Sequence, residues 1–380
     1  MDNNRRYDID TLRVLAFLSL IIYHVAMFYV ADWGWHIKSE SVNEWLKFPM
    51  ILINQWRMPL LFLISGVASS FLLRKLSAAA FIKSRSLRLW VPLTTAVLLV
   101  VPPQAYLQGM ANGTIESAFG AMTYPQFLWH YFTLQGWPVG AFDGSDYGFT
   151  WNHLWFVPYL IVYTVVLIPF RAIVRISRLG AALNHLGPIS LIVLPVVLQI
   201  VWQWALAGEQ GINHTLIDDS YGHAVYFTFF ALGYLISDKA HCWAIIVRLR
   251  WLTLALAVCT YIALIALWWV FNEQLWQGHL ATVVAKLNQW LWLLTVLGWS
   301  ARWLNKPSRW VRYANARIFP WYIFHQTLTI VAGYYLSPFV LGGLVEGALV
   351  LGATVAGCFV LTHYVVERSR VLRFCFGMKV

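Results

Sequence analysis

Hydrophobic positions along the chain come in long unbroken blocks rather than in the short alternations of a soluble fold. Ten stretches approach or exceed the roughly 20 apolar residues that a bilayer crossing needs. They are 12–31, 49–73, 89–108, 152–170, 188–207, 221–237, 251–271, 281–300, 317–336 and 340–366. Each predicts a helix, because a span in hydrocarbon must satisfy its own backbone groups. The stretch 125–137 is too short and too polar to span and is expected to be interfacial or re-entrant. No small-residue cleavage site follows the first apolar run, so that helix is expected to be retained. The pattern predicts an all-α integral membrane protein, a single bundle of about ten transmembrane helices forming one domain over 1–380.

Composition sharpens this reading. The 380 residues are 60% apolar and only 11% charged, with a mean hydropathy of +0.62. A soluble domain carries roughly 25% charged residues, so a soluble enzyme, a disordered scaffold and a collagen-like fibre are excluded. The net charge of +11 would by itself suggest nucleic acid, but the placement of the charges points to a membrane. With the N-terminus inside, 22 of the 27 Lys and Arg residues fall on the inner side. Among them are Arg5 and Arg6, the run Arg74, Lys75, Lys83, Arg85 and Arg88, the trio Arg171, Arg175 and Arg178, and Lys239, Arg248 and Arg250. The outer side holds only Lys38, Lys47 and Lys286 but ten of the 16 acids. Positive charge retained on the cytoplasmic side predicts N-in/C-in. The lipid bilayer is then the expected partner and nucleic acid is not. Cys242, Cys259, Cys358 and Cys375 form no CxxC pair; free thiols and no metal site are expected.

The longest loop, the outer segment 109–151, places Trp129, Trp137, Tyr147 and Trp151 beside Asp143 and Asp146. It reads either as a sugar platform or as an aromatic belt at the headgroups.

Ionisable residues inside spans are costly and mark functional sites. In the first span Asp10, Arg13 and His24 recur at steps of three and eleven, which puts them on one helical stripe, His24 about 16 Å beyond Arg13. The second span enters from outside and carries Arg57 about 12 Å below its outer end, close to the depth expected of His24. In the same span Pro59 frees a carbonyl, and Ser65-Gly66 permits close helix approach. Asn152-His153-Leu154-Trp155 opens the fourth span, Tyr322 and His325 lie inside the ninth, and Glu346 lies within the tenth as a second candidate partner for Arg57. Lys83, Arg85 and Arg88 before Pro92 form a cation cluster of phosphate size.

At these residues the chain resembles the membrane-bound acyltransferase-3 family, most of all the branch that succinylates periplasmic glucans. The resemblance rests on Leu12-Arg13 followed by His24, Gln55-Trp56-Arg57-Met58 with Phe62-Leu63-Ile64-Ser65-Gly66, Arg85 and Arg88 before Pro92, His153-Leu154-Trp155-Phe156, and Tyr322-Ile323-Phe324-His325, in family order from about residue 7 to 375. It implies ten core helices in a bacterial inner membrane, a cytoplasmic acyl-CoA donor and a glucan or other carbohydrate acceptor on the far side. Arg13 and His24 would be essential, with Arg85 and Arg88, joined by Lys83 and Ser65, on the donor side. Two departures are Ser84-Arg85 in place of a doubled Arg, and Glu367-Arg368-Ser369 in place of Glu-Arg-Pro; a fused hydrolase-like domain is also not expected.

The reading that follows is O-acyl transfer, succinyl or acetyl. His24 would act as general base with Asp10 and Arg13 ordering its stripe, by direct transfer or through an acyl-enzyme. Arg57, His153, Trp155, His325, Tyr322 and Glu346 would line the acyl and acceptor pocket. Acyl-CoA enters as a substrate, and no tightly bound cofactor is expected; a homo-oligomer is compatible with all of this. A transporter or flippase for a sugar-linked substrate, and a structural partner in a glucan-synthesis assembly, are the rival classes.

Overall fold

The computed structural model describes residues 5–177, 181, 183–208, 211–271 and 278–379; Arg178 of the inner basic trio lies outside them. Among the described residues there is no strand, only an isolated bridge between Val30 and Asn43. The long helices are α1 (Tyr7–Met27), α2 (Lys47–Leu73), α3 (Ala78–Leu99), α7 (Phe156–Ile176), α8 (Pro188–Leu206), α9 (Ser220–Ile236), α10 (Ala240–Phe271), α11 (His279–Trp303), α12 (Arg309–Leu336) and α13 (Gly343–Val360). Shorter helices are α4 (Pro102–Ala111), α5 (Thr114–Phe119), α6 (Tyr124–Phe132) and α14 (Arg370–Cys375). The protein is an all-α integral membrane protein.

All ten expected spans are mainly helical, but 12–31 leaves the helix after Met27 and 89–108 is split at Val100–Val101, where Pro102 and Pro103 follow, into α3 and α4. Eight helical stretches are long and apolar enough to cross a membrane by length and composition: Tyr7–Met27, Glu44–Leu73, Ala78–Ala111, Asn152–Ile176, Pro188–Leu206, Ala240–Leu267, His279–Trp303 and Gly343–Val366. The remaining two are α9, only 17 residues long, and α12, whose apolar face is broken by His325, Gln326, Thr327 and Thr329. Burial separates two kinds of helix. About 72% of the span window of α2 and 61% of that of α1 is buried, against 17% in α10 and 22% in α8. The apolar surface left open on α8 and α10 is what a lipid-facing helix requires.

The chain folds into two compact units. The first comprises residues 1–16, 51–85 and 159–311, the second 17–50, 86–158 and 312–380. In the first, α2 crosses α9 backbone to backbone. A Cβ on Gly66 would lie 1.9 Å from the Phe230 carbonyl oxygen, and one on Gly233 would lie 1.9 Å from that of Leu63. This bears out the reading of Ser65-Gly66 as a close-approach step. In the same unit α10 and α11 pack along their length, again at a glycine, Gly298.

The second unit has two apolar centres. Val25, Phe28, Tyr29, Leu107, Ile330 and Val350 form one. The other, Ala105, Ile115, Phe127, Tyr131, Ala141 and Phe142, lies within the segment expected to be mainly loop. Short helices α5 and α6 fold over it, and the stretch 125–137 contributes most of α6. Trp137 packs into this centre, whereas Trp129 is 71% exposed. Beyond α1, the Lys38 ammonium donates to the carbonyls of Met27 and Val30. A cation there complements the negative end of the helix dipole. Burial lowers its pKa, partly opposed by Asp32.

Candidate active site

The second unit gathers three histidines from three helical segments. His24 sits in the last turn of α1, His153 in the 3-10 turn that opens α7, and His325 in the middle of α12, each 9% exposed or less. His24 Nδ1 and His325 Nε2 are 2.8 Å apart. The two ring planes differ by only 7°, with centroids 4.9 Å apart. That separation, with so short a nitrogen–nitrogen distance, is an edge-to-edge hydrogen bond rather than a face-to-face stack. The His153 ring meets that of His325 at 89°, 5.1 Å away.

Backbone oxygens assign the protons. His325 Nδ1 lies 2.7 Å from the Tyr322 carbonyl, which can only accept, so Nδ1 carries the hydrogen. Neutral His325 then accepts at Nε2, and His24 Nδ1 must be the donor to it. The lone pair of neutral His24 is thereby assigned to Nε2. His153 Nε2 donates to the carbonyls of Tyr322 and Ile323 at 3.0 and 3.2 Å, and the Tyr322 hydroxyl returns a bond of 2.7 Å to the His153 carbonyl. Two helical segments are thus tied by three bonds around the histidines. Asn152, just before His153, has a left-handed φ of 48°, the kind of local strain that persists where surroundings over-determine it.

A polar string continues outward from this group. The Gln326 amide lies 3.0 Å from His36 Nε2 and 3.1 Å from Gln104 Oε1 and Asn152 Oδ1. His36 Nδ1 in turn donates to Gln108 Oε1 at 2.7 Å and lies 3.3 Å from Asp143 Oδ2. His36 is 2% exposed at its side chain and Asp143 is 65% exposed, so the string runs from solvent to the residue adjacent to His325. Trp35 adds an indole 5.3 Å from the His24 ring. Its Nε1, with His153 Nδ1 and Asn152 Nδ2, is buried without a hydrogen-bond partner among the described residues. Such donors and acceptors are costly unless something else meets them.

Of the residues singled out from sequence, the structure brings His24, His153, Tyr322 and His325 together. Trp155 is half-buried in the same 3-10 turn as His153. Glu346, 1% exposed, accepts from the Tyr29 hydroxyl and Ser39 at 3.2 and 3.3 Å, so it fastens the segment that follows α1. The remainder belong wholly or largely to the first unit. Asp10 pairs with Arg5 at 2.8 Å and with Arg13, three residues on, at 3.7 Å. Arg57, 6% exposed, donates to Asn54 at 3.2 Å, and its charge acts on His214 and Tyr226. Ser65 is half-buried, and its carbonyl accepts from Ser69 at 2.8 Å. Lys83, Arg85 and Arg88 lie on α3 rather than in a loop. At about 100° per residue Arg85 and Arg88 share a face, and Lys83 points nearly opposite to Arg85.

Sequence reasoning missed Trp35, His36, Gln104, Gln108, Asn152 as a ligand, and Gln326. The only available signal was proximity in sequence, with Trp35-His36 just beyond α1 and Gln326 next to His325.

The second unit thus buries three imidazoles beside a polar string that reaches an exposed carboxylate. Comparison with known proteins specifies the class: the acyltransferase-domain profile of the acyltransferase-3 family matches residues 6–363. The chain belongs to this family and is a multi-pass membrane acyltransferase. Among its relatives are the glucans biosynthesis protein C of Salmonella schwarzengrund (strain CVM19633), 25% identical over 361 residues, and that of Salmonella agona (strain SL483), 25% identical over 368 residues. Each alignment covers 90% of this chain and 86% of the relative. No solved structure matches.

Proposed function

We propose that the protein transfers a succinyl or acetyl group from cytoplasmic acyl-CoA to a hydroxyl of a carbohydrate, a glucan by analogy with its relatives, on the outer side of a bacterial inner membrane. The chain would lie N-in/C-in, as its basic loops require. The observation that carries this reading is the directed bond from His24 to His325, which leaves the His24 Nε2 lone pair as a proton acceptor. In the proposed step the acceptor oxygen attacks the thioester carbonyl and His24 Nε2 takes the hydroxyl proton. The new C–O bond forms, the C–S bond breaks, and the imidazolium returns the proton to the departing sulfur. His325 accepts from His24 Nδ1 throughout and so stabilises the cation as it forms. Trp35 offers a flat face for a sugar ring, and the string through Gln326 and His36 to Asp143 offers hydroxyl partners along an outer approach. Inner-side cations, Arg85 and Arg88 among them, hold the donor phosphates, and Asp10 with Arg13 orders the inner part of α1.

The test is thiol release from acyl-CoA by purified protein with a glucan acceptor. His24→Ala is expected to lower turnover by about 10²–10⁴-fold, the usual worth of a general base, while the protein still inserts. Unchanged turnover in that variant rejects His24 as the base.

A further inference from the structure

Two cavities open among the inner-side helix ends of the first unit, and neither touches a residue used in the proposed proton chemistry. The larger, about 740 Å³, is walled by Arg6, Phe71, Trp243, Arg248 and Asn305. The smaller, about 250 Å³, is walled by Arg171, Arg175, Lys239 and Tyr234. Arg74 and Asp238, joined at 3.2 Å, line both. Together the walls carry six cations against one carboxylate. Every one of these cations reads in the sequence as a marker of the inner side. Orientation alone needs them only near that side; it does not need them converging on two adjoining hollows.

The walls differ in kind. In the larger cavity Arg6 is held flat by two bonds to Asp8, at 2.9 and 2.6 Å, and its guanidinium carbon lies 3.7 Å from the centroid of the Trp243 ring. The indole is itself fixed, its N–H donating to the Ile236 carbonyl at 2.9 Å. A guanidinium locked in a plane against an aromatic ring is a platform on which a planar base stacks. The volume falls within the 300–1,000 Å³ typical of small-molecule and cofactor sites. The smaller cavity sets four cations, Arg74, Arg171, Arg175 and Lys239, among Leu73, Val174, Tyr234 and Leu235, and its cations suit phosphate oxygens.

We infer that the two cavities form one seat for a nucleotide bearing several phosphates. Its base lies on the Arg6–Trp243 stack in the larger cavity, its phosphates lie among Arg171, Arg175 and Lys239 in the smaller, and Arg74 bridges them. This rests on the acyl-CoA reading and deepens it, since it adds to the Arg85 and Arg88 cations a stacking surface for the adenine of the donor and further contacts for its phosphates.

Calorimetry on the purified full chain, with coenzyme A and separately with ADP as probes, tests the seat. Arg171→Gln combined with Arg175→Gln is expected to weaken coenzyme A binding by about 100-fold, and Arg248→Gln by about tenfold, at the usual worth of a charge-assisted bond. ADP is expected to compete with coenzyme A. Coenzyme A affinity unchanged in the folded double variant overturns the proposal; should that variant not fold, unchanged affinity in Arg248→Gln and Arg175→Gln singly does so. If the substitutions alter only stabilisation by phosphatidylglycerol vesicles, the seat belongs to a lipid headgroup and the proposal also falls. Nucleotide binding that the variants weaken, without thiol release from acyl-CoA by the wild type, leaves the seat standing and rejects the transfer reading.

Discussion

The histidine group of the second unit and the two cavities of the first hold polar groups in opposite ways. In the second unit, imidazoles, amides and carbonyls are bonded to one another at 2.7–3.3 Å in two sets that adjoin at His325 and Gln326. In the first, cations stand around empty volume. The contrast follows from what each arrangement can do. Proton transfer needs a lone pair held in one tautomer, which only a network of directed bonds secures in a low-dielectric interior. Binding a polyanion needs space and charge, and cationic side chains around a cavity supply both. A fixed network and an accommodating hollow are incompatible demands on the same side chains, and the protein meets them in two regions.

That contrast is breakable by experiment. The largest effect is expected on the network side. His325→Ala removes the acceptor of the His24 N–H and should lower kcat by roughly 10²–10⁴-fold, in the range that loss of the correct tautomer produces. His325→Gln retains a carbonyl oxygen at that point and should recover part of the rate, with coenzyme A affinity unaltered in both variants. Equal rates in the Ala and Gln variants would show that His325 acts only through packing.

Next in size is the crossing of α2 and α9. Gly66→Ala puts a methyl carbon where the Phe230 carbonyl oxygen now sits. A loss of about 3 kcal/mol is expected, at the upper end of overpacking costs, read as a lowered thermal midpoint in detergent. An unshifted midpoint would mean that the two helices separate without cost.

His214, in the loop between α8 and α9, gives a pH-dependent effect of similar size. Burial and the charge of Arg57 hold its pKa down, against the pull of Asp219, to about 4. The unfolded chain protonates near 6.5. Because the folded value is the lower one, folding is penalised when the unfolded state takes up the proton. Stability should be flat above about pH 6.5 and fall by up to about 1.4 kcal/mol per unit towards pH 4, where the loss levels off. The steepness should diminish in His214→Gln; an identical pH profile in that variant would assign the loss to other groups.

The smallest effect concerns donor choice. Arg57→Leu is expected to reduce succinyl transfer several-fold more than acetyl transfer, because a buried guanidinium can pair with the terminal carboxylate. Parallel losses on both donors would restrict Arg57 to the neighbourhood of Asn54, His214 and Tyr226.

Much of the architecture is legible without coordinates, for one reason: hydrocarbon tolerates only runs of apolar residues in self-bonded helices, and such runs are visible in a linear string. The departures are equally physical. Helices α9 and α12, expected as spans, fall short of the length or apolar composition of the other eight, and many of their residues are buried within the protein. The segment 109–151 reads as loop because its core is assembled from Ile115, Phe127, Tyr131 and Phe142, spread over three short elements with no sustained period. Lys83, Arg85 and Arg88 read as a cluster because a linear string does not show that α3 starts before them.

The chemistry divides along the same line. That His24 and His325 sit inside apolar helices, and His153 at the mouth of one, is legible in the sequence, since an imidazole in or beside an apolar run is conspicuous wherever the helix goes. Which of them meet, which nitrogen carries the proton, and that Gln326 and His36 extend the group to Asp143 required the folded chain. His24 and His325 are 301 residues apart, and Gln326 and His36 are 290 apart. No local pattern encodes a contact closed over such a distance. It arises only when whole helices pack, and where helices approach backbone to backbone, as at Gly66 and Gly233, small residues permit it.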